Sequence, residues 1–130
     1  MIRHRVNTEE EKGYSQVISN IKSLVDYIES NINHKFSKLG IGTPGTIDPE
    51  SGLLKNSNSQ CLNGMPIQID LSKVLNKSIL IQNDANCFAL AETLLGSVKD
   101  QYPNAKNVFG IIMGTGVGGG VIIDGKTVYG

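Results

Sequence analysis

Five glycines fall within the seven residues Gly114-Thr115-Gly116-Val117-Gly118-Gly119-Gly120. Apolar, β-branched-rich runs flank them, Val108-Phe109-Gly110-Ile111-Ile112-Met113 before and Val121-Ile122-Ile123 after. Each glycine costs a helix about 1 kcal/mol relative to alanine, so the segment reads as strand, glycine turn and returning strand. Asp124-Gly125 marks a second tight hairpin turn beyond it. Gly114, Gly116 and Gly119 match the spacing G-x-G-x-x-G. A dinucleotide fingerprint needs a helix after those glycines, and a strand follows here, so that reading is disfavoured. The absence of a following Gly-Lys-Ser/Thr excludes a P-loop. Two readings of the turn remain. Its bare backbone N–H groups can converge on a phosphate, with Thr115 adding a hydroxyl, or its glycines only supply positive φ to a hairpin. The density of glycine around a threonine favours the anion.

Composition narrows the rest. The chain has 130 residues, 12 Lys plus Arg against 12 Asp plus Glu, 39% apolar residues and 18% charged ones. That length suits one ordinary domain with a real core. Balanced charge removes the electrostatic case for nucleic acid or an anionic membrane surface. No run of about 18 apolar residues is present to span a bilayer. Met1-Ile2-Arg3-His4-Arg5 runs into polar residues without the apolar stretch of a signal peptide. Cys61 and Cys87 fit no metal spacing and read as reduced cysteines of a cytoplasmic protein. His4 and His34 have no partner at ligand spacing and are expected in solvent.

The order of elements points to an α/β domain. Thr8-Glu9-Glu10-Glu11 has the form of a capping box. Apolar residues from Tyr14 to Ile32 then recur at helical spacing, predicting a helix from about Glu9, or from nearer Gly13, to Asn33. Leu39–Thr43 reads as a strand ending at Pro44-Gly45. Ile47–Leu54 reads as a turn and hairpin, and Lys55–Met65 as a polar loop. Asp70–Asn76 has room for one or two helical turns. Ile79-Leu80-Ile81 reads as a strand buried on both faces. Asp84–Val98 reads as a second strong helix, burying Phe88, Ala91, Leu94, Leu95 and Val98.

Chemistry concentrates after the strand at Ile79–Gln82. Open α/β sheets bind ligands at the carboxyl ends of their strands, where Asn83-Asp84 sits. A carboxylate there can take the proton of a hydroxyl as it attacks phosphorus. Asn83 both donates and accepts, which suits a vicinal diol. Position alone favours the plainer role of helix N-cap for Asp84. The loop Asn56-Ser57-Asn58-Ser59 carries uncharged hydrogen-bonding groups suited to sugar hydroxyls, as would any exposed loop. Thr43-Pro44-Gly45 can present backbone donors, although an ordinary turn is the favoured reading.

Five segments together resemble the ROK family of sugar kinases and sugar-responsive repressors. They are Ile41-Gly42-Thr43-Pro44-Gly45, Lys55-Asn56-Ser57-Asn58-Ser59, Leu62-Asn63-Gly64, Asn83-Asp84-Ala85-Asn86-Cys87 and the glycine segment from Gly114. They stand in the family's order and at about its spacing, and most resemble bacterial fructokinases and N-acetylglucosamine kinases. Arg5-Val6-Asn7-Thr8 resembles the end of the family's first β-meander. The resemblance implies an actin-like, hexokinase-like fold holding ATP with Mg²⁺ and a hexose between two lobes. Residues 1–106 would form most of the small lobe and residues 107–130 the start of the large one. It implies Asp84 as catalytic base, and Asn83, Gly45 and Asn58 at the sugar. It further implies Gly114, Thr115, Gly116 and Gly118 as a phosphate loop on ATP.

The family's N-terminal Asp-x-Gly-Gly-Thr loop, its Glu-x-x-His sugar motif and its zinc site have no counterpart here. The chain therefore reads as part of a longer kinase, expected to be inactive alone and to self-associate through unpaired strand edges. The alternatives are a sugar-sensing repressor on the same scaffold and a sugar-binding module without catalysis. The loop sequences tilt the sugar towards fructose, ahead of N-acetylglucosamine and glucose.

Overall fold

Gly13, at φ 91°, interrupts the first helical pattern and sets where the helix begins. The computed structural model describes residues 2–114 and 116–129. In it, helix α1 runs over Tyr14–Ile32, preceded by a separate 3-10 turn at Glu10–Lys12. No capping box forms, because Glu9 takes the left-handed conformation (φ 54°) and neither turn has a side-chain cap. The Glu9 carboxylate instead pairs with Lys12 and accepts from the side-chain amides of Gln16 and Asn20. Residues 2–8 form neither helix nor strand, unlike the meander that the resemblance implied.

The strands and helices that follow are β1 (Lys38–Thr43), β2 (Thr46–Ile47), β3 (Leu54–Lys55), α2 (Ile67–Leu75), β4 (Ser78–Asn83), α3 (Asp84–Leu94), α4 (Ser97–Gln101), β5 (Asn107–Met113), β6 (Val117–Ile123) and β7 (Lys126–Thr127). Strands pair as β1 with β4, β2 with β3, and β5 with β6 with β7. The chain divides into two compact units, one ending at Ile81 and the other beginning at Gln82. That boundary lies earlier than the lobe division at 106/107, which concerns an intact kinase.

The core of the first unit joins Val17 and Ile18 of α1, Leu54, Leu62, Ile67 and Leu71 of the middle segment, and Ile79 and Ile81 of β4. Period-two patterning turns Leu39, Ile41 and Thr43 of β1 inward. The helix at α2 is longer than Asp70–Asn76, because Ile67 and Leu71, four apart, are both buried. Strand β4 is not buried on both faces: Ile79 and Ile81 point inward while Leu80 is 70% exposed. Tyr14 donates its phenol proton to Asp70 at 2.8 Å, tying α1 to α2. Lys77 closes the opposite end of α1, reaching Glu29 at 2.7 Å and the Phe36 carbonyl at 2.8 Å.

In the second unit α3 lies on the inner face of the β5–β6 hairpin, whose register pairs Gly110 with Gly120 and Ile112 with Gly118. The helix stops at Leu94 rather than Val98, since Gly96 intervenes before α4. Its buried residues are Ala85 and Ala89, and the expected Phe88, Ala91, Leu94 and Leu95 are exposed. Glycine on the strands explains the choice. A Cβ at Gly110 would lie 2.8 Å from the Ala89 Cβ, and one at Gly120 only 2.5 Å from the Ala85 carbonyl oxygen. A floor of glycine draws the smallest face of the helix against it, and larger residues turn outward. Asp124 (φ 47°) and Gly125 (φ 74°) make the tight turn into β7 as expected.

Candidate active site

Asn83 ends β4 and caps α3: its Oδ1 accepts from the Asn86 N–H at 3.2 Å. The cap is therefore Asn83 and not Asp84. Asp84 takes the first helical position, where a carboxylate suits the positive end of the helix dipole. Its Oδ1 accepts from the Ala85 N–H at 2.8 Å, while Oδ2 makes no hydrogen bond among the described residues. The side chain is exposed. One oxygen is thus held by the backbone while the other is open to a hydroxyl proton. Cys87, one turn on, has its thiol pushed up by burial and then by the Asp84 charge. It stays a protonated thiol near neutrality, with no nucleophile's character.

The glycine segment divides in two. Gly114 and Gly116 form the turn, closed by the Gly114 N–H donating to the Gly116 carbonyl at 2.9 Å. Thr115, between them, lies outside the described residues. Gly118, Gly119 and Gly120 belong to β6, and neither they nor Gly114 has positive φ. The reading of these four as suppliers of left-handed backbone is thereby corrected. Gly118 faces Ala85, with a Cβ there falling 3.3 Å from the Ala85 Cβ, and Gly119 lies beneath the Phe109 ring. The second unit thus brings Asn83, Asp84 and Gly118 together around the start of α3 and leaves Gly114 exposed at the hairpin tip.

The first unit gathers the other two candidates. Gly45 (φ 87°) crosses so close to the next loop that a Cβ would stand 2.4 Å from the Lys55 carbonyl oxygen and 2.9 Å from the Ser57 nitrogen. Glycine is required there for conformation and for contact. Asn58 is exposed on that same loop. Asn63, which the sequence reading gave no role of its own, fixes the loop with both ends of its amide. Its Oδ1 accepts from the Ser57 N–H at 2.8 Å and its Nδ2 donates to the Ser57 carbonyl at 2.9 Å. Buried Ser57 then accepts from the Ser59 N–H at 3.1 Å, so the backbone on both sides of Asn58 is restrained. A second feature also escaped notice. The Thr43 hydroxyl is buried, and among the described residues it has no hydrogen-bond partner.

Among the described residues the two cysteines are free thiols, and no group of three His, Cys, Asp or Glu residues is placed to hold a metal ion. Among the described residues no helix is long and apolar enough to cross a membrane. His4 and His34 are exposed, as expected, though each touches a ring, His4 stacking on Tyr27 at 4.2 Å and His34 meeting Phe36 edge-on at 5.0 Å.

Comparison with known proteins decides the family. The ROK family profile matches residues 1–130. The chain belongs to the ROK family. An N-acetyl-D-glucosamine kinase of Aliivibrio fischeri is 39% identical over 126 residues, which is 97% of this chain and 40% of that protein. The chain thus spans about 40% of the length of the curated relatives it matches. Among solved structures, the ROK hexokinase of Thermus thermophilus superposes with a TM-score of 0.77 at 28% identity, covering 96% of this chain and 40% of that one. A ROK glucokinase of Streptomyces griseus, solved with glucose and AMPPNP, superposes with a TM-score of 0.72 at 25% identity over 91% of this chain and 36% of that one. The expected α/β, actin-like and hexokinase-like fold holds; the curated relative named above is an N-acetyl-D-glucosamine kinase, and the matching solved structures include ROK sugar kinases and a ROK transcriptional regulator.

Proposed function

We propose that the chain is part of an ATP-dependent hexose kinase in which Asp84 takes the proton of the sugar hydroxyl as it attacks the γ-phosphorus. The observation that carries this reading is the exposed carboxylate at the start of α3, with Oδ1 held by the Ala85 N–H and Oδ2 making no hydrogen bond among the described residues. A base must be held and still have a free lone pair, and this arrangement supplies both. Asn83 stands beside it to orient sugar hydroxyls, and Gly45 and Asn58 are sugar-binding residues. Gly114, Thr115, Gly116 and Gly118 serve the ATP phosphates. Gly114 and Gly116 do so as the exposed tip of the hairpin, and half-buried Gly118, packed against Ala85, takes the smaller share. Mg²⁺ accompanies ATP, and its charge would neutralise the transferring phosphoryl group.

The sugar is a hexose. Identity to the Aliivibrio kinase favours N-acetylglucosamine over fructose and glucose. The enzyme acts in the cytoplasm, and the chain self-associates. Phosphoryl transfer depends on several loops positioned at once, so the 130-residue chain alone transfers no phosphate. The test is a coupled ATP-consumption assay with N-acetylglucosamine, fructose and glucose, on the complete kinase carrying this chain and on the chain alone. Asp84→Asn is expected to lower turnover by on the order of 10² or more with sugar affinity little changed. Unchanged turnover reduces Asp84 to a residue of the helix start. Robust transfer by the 130-residue chain overturns its reading as an incomplete enzyme.

A further inference from the structure

Two of the three glycines of β6, Gly118 and Gly120, have a use that phosphate binding does not explain. Gly118 faces the Ala85 methyl, and Gly120 faces the Ala85 carbonyl and the Asn86 Cα, where an added Cβ would stand 2.5 Å and 2.9 Å away. Ala85 is 2% exposed, and its N–H is the donor that holds the Asp84 carboxylate. The first turn of α3 is therefore pressed onto β6 at the residue that orients Asp84. We infer that Gly118 and Gly120 are positioning residues for Asp84, seating the start of α3 so that its carboxylate keeps a fixed place relative to the glycine turn two residues before Gly118.

The chemistry of a base makes this seat matter, and in that respect the inference rests on the proposed role of Asp84. A shift of a few tenths of an ångström at Ala85 moves both the N–H and the carboxylate it holds. Misplacement of a reacting group by about 1 Å can cost 10²-fold in rate. The two glycines differ in severity. At Gly120 the obstacle is backbone, which cannot swing aside. At Gly118 it is one methyl group at 3.3 Å, which can be removed by mutation.

That difference supplies a double-mutant cycle on the 130-residue chain. The readouts are the Asp84 carboxyl carbon resonance and the thermal midpoint, for Gly118→Ala, Ala85→Gly, the double variant and Gly120→Ala. Gly110→Ala, whose clash falls one turn along on Ala89, serves as the control for a merely structural effect. Gly118→Ala is expected to displace the Asp84 resonance and the double variant to restore it, while Gly110→Ala lowers the midpoint and leaves the resonance in place. If Gly118→Ala lowers the midpoint without moving the resonance, or if the double variant fails to restore it, the inference is overturned. Should Gly120→Ala fail to fold, the Gly118 cycle decides alone. Neither readout requires turnover, so a failure here is distinguishable from a failure of Asp84 as base, which Asp84→Asn tests in the complete enzyme.

Discussion

Asp48 shows how much one residue can organise. Its Oδ1 accepts from the Glu50 N–H and the Ser51 N–H, each at 2.9 Å, and from the Ser51 hydroxyl at 3.2 Å, while Oδ2 meets Lys55 at 3.0 Å. These contacts make the turn between β2 and β3. The Ser51 N–H first, then Lys55 and the Glu50 N–H, hold the carboxyl far below the usual aspartate range. A group depressed on folding adds stability above its unfolded value, about 3.9, and that stability is lost as pH falls from there towards the folded value. Asp48→Asn removes the charge and the Lys55 pair but keeps an oxygen for the turn amides. Thermal midpoints are expected to separate the wild type from Asp48→Asn at pH 7 and to converge as pH drops below about 4. A gap independent of pH shows that the charge is not what stabilises the turn. The turn itself was legible in the sequence, where Ile47–Leu54 reads as a turn and hairpin. The Lys55 pair did not show, because it depends on β2 meeting β3.

At the scale of elements, periodicity located nearly every helix and strand and the buried face of α1, but misjudged the burial of β4 and α3. The helix after Asn83 was legible from its spacing and its polar start. Its buried face was not, because the rule that the largest apolar residues go inside assumes a partner with ordinary side chains. Here the partner strands β5 and β6 are paved with Gly110, Gly118 and Gly120, and depth goes to Ala85 and Ala89. The glycines looked like a single loop for the related reason that glycine signals a turn and a close contact alike. The capping box failed because Gly13 ends the first turn before the helix begins, and propensity at Thr8 cannot offset that break. The sites fared similarly. Asn83 and Asp84 stood out by position, whereas the Asn63 amide clamp needs the loop to fold back on itself. Urea unfolding of the chain checks the inverted helix face. Ala89→Leu forces a large side chain against Gly110 and is expected to destabilise by about 1–3 kcal/mol. Leu95→Ala, at a position 80% exposed, is expected to change stability by no more than about 0.5 kcal/mol. The reverse order restores the face read from periodicity.

For the molecule as a whole, the β5–β6 hairpin sets the open question of association. Its inner face receives α3. Its outer face carries Phe109, Ile111, Met113, Val117, Val121 and Ile123, all exposed, with Met113 and Val117 about four-fifths so. Alternation therefore places apolar side chains on both sides, the pattern of a sheet covered twice. A contiguous exposed apolar face of this kind marks an interaction surface rather than a solvated one. The edges add to this: β7 pairs only with Ile122 and Ile123, and β5 ends the strand order. The chain on its own is thus expected to associate with a second copy through the outer face of the hairpin, with light scattering giving a dimer or larger species that grows with concentration. Val117→Lys with Ile111→Lys places charges on that face without touching the glycine floor, and is expected to return the monomer with its helical circular dichroism intact. A wild-type chain that stays monomeric at high concentration rules the association out. A charged variant that still assembles moves the contact to the strand edges, where sequence alone had placed it.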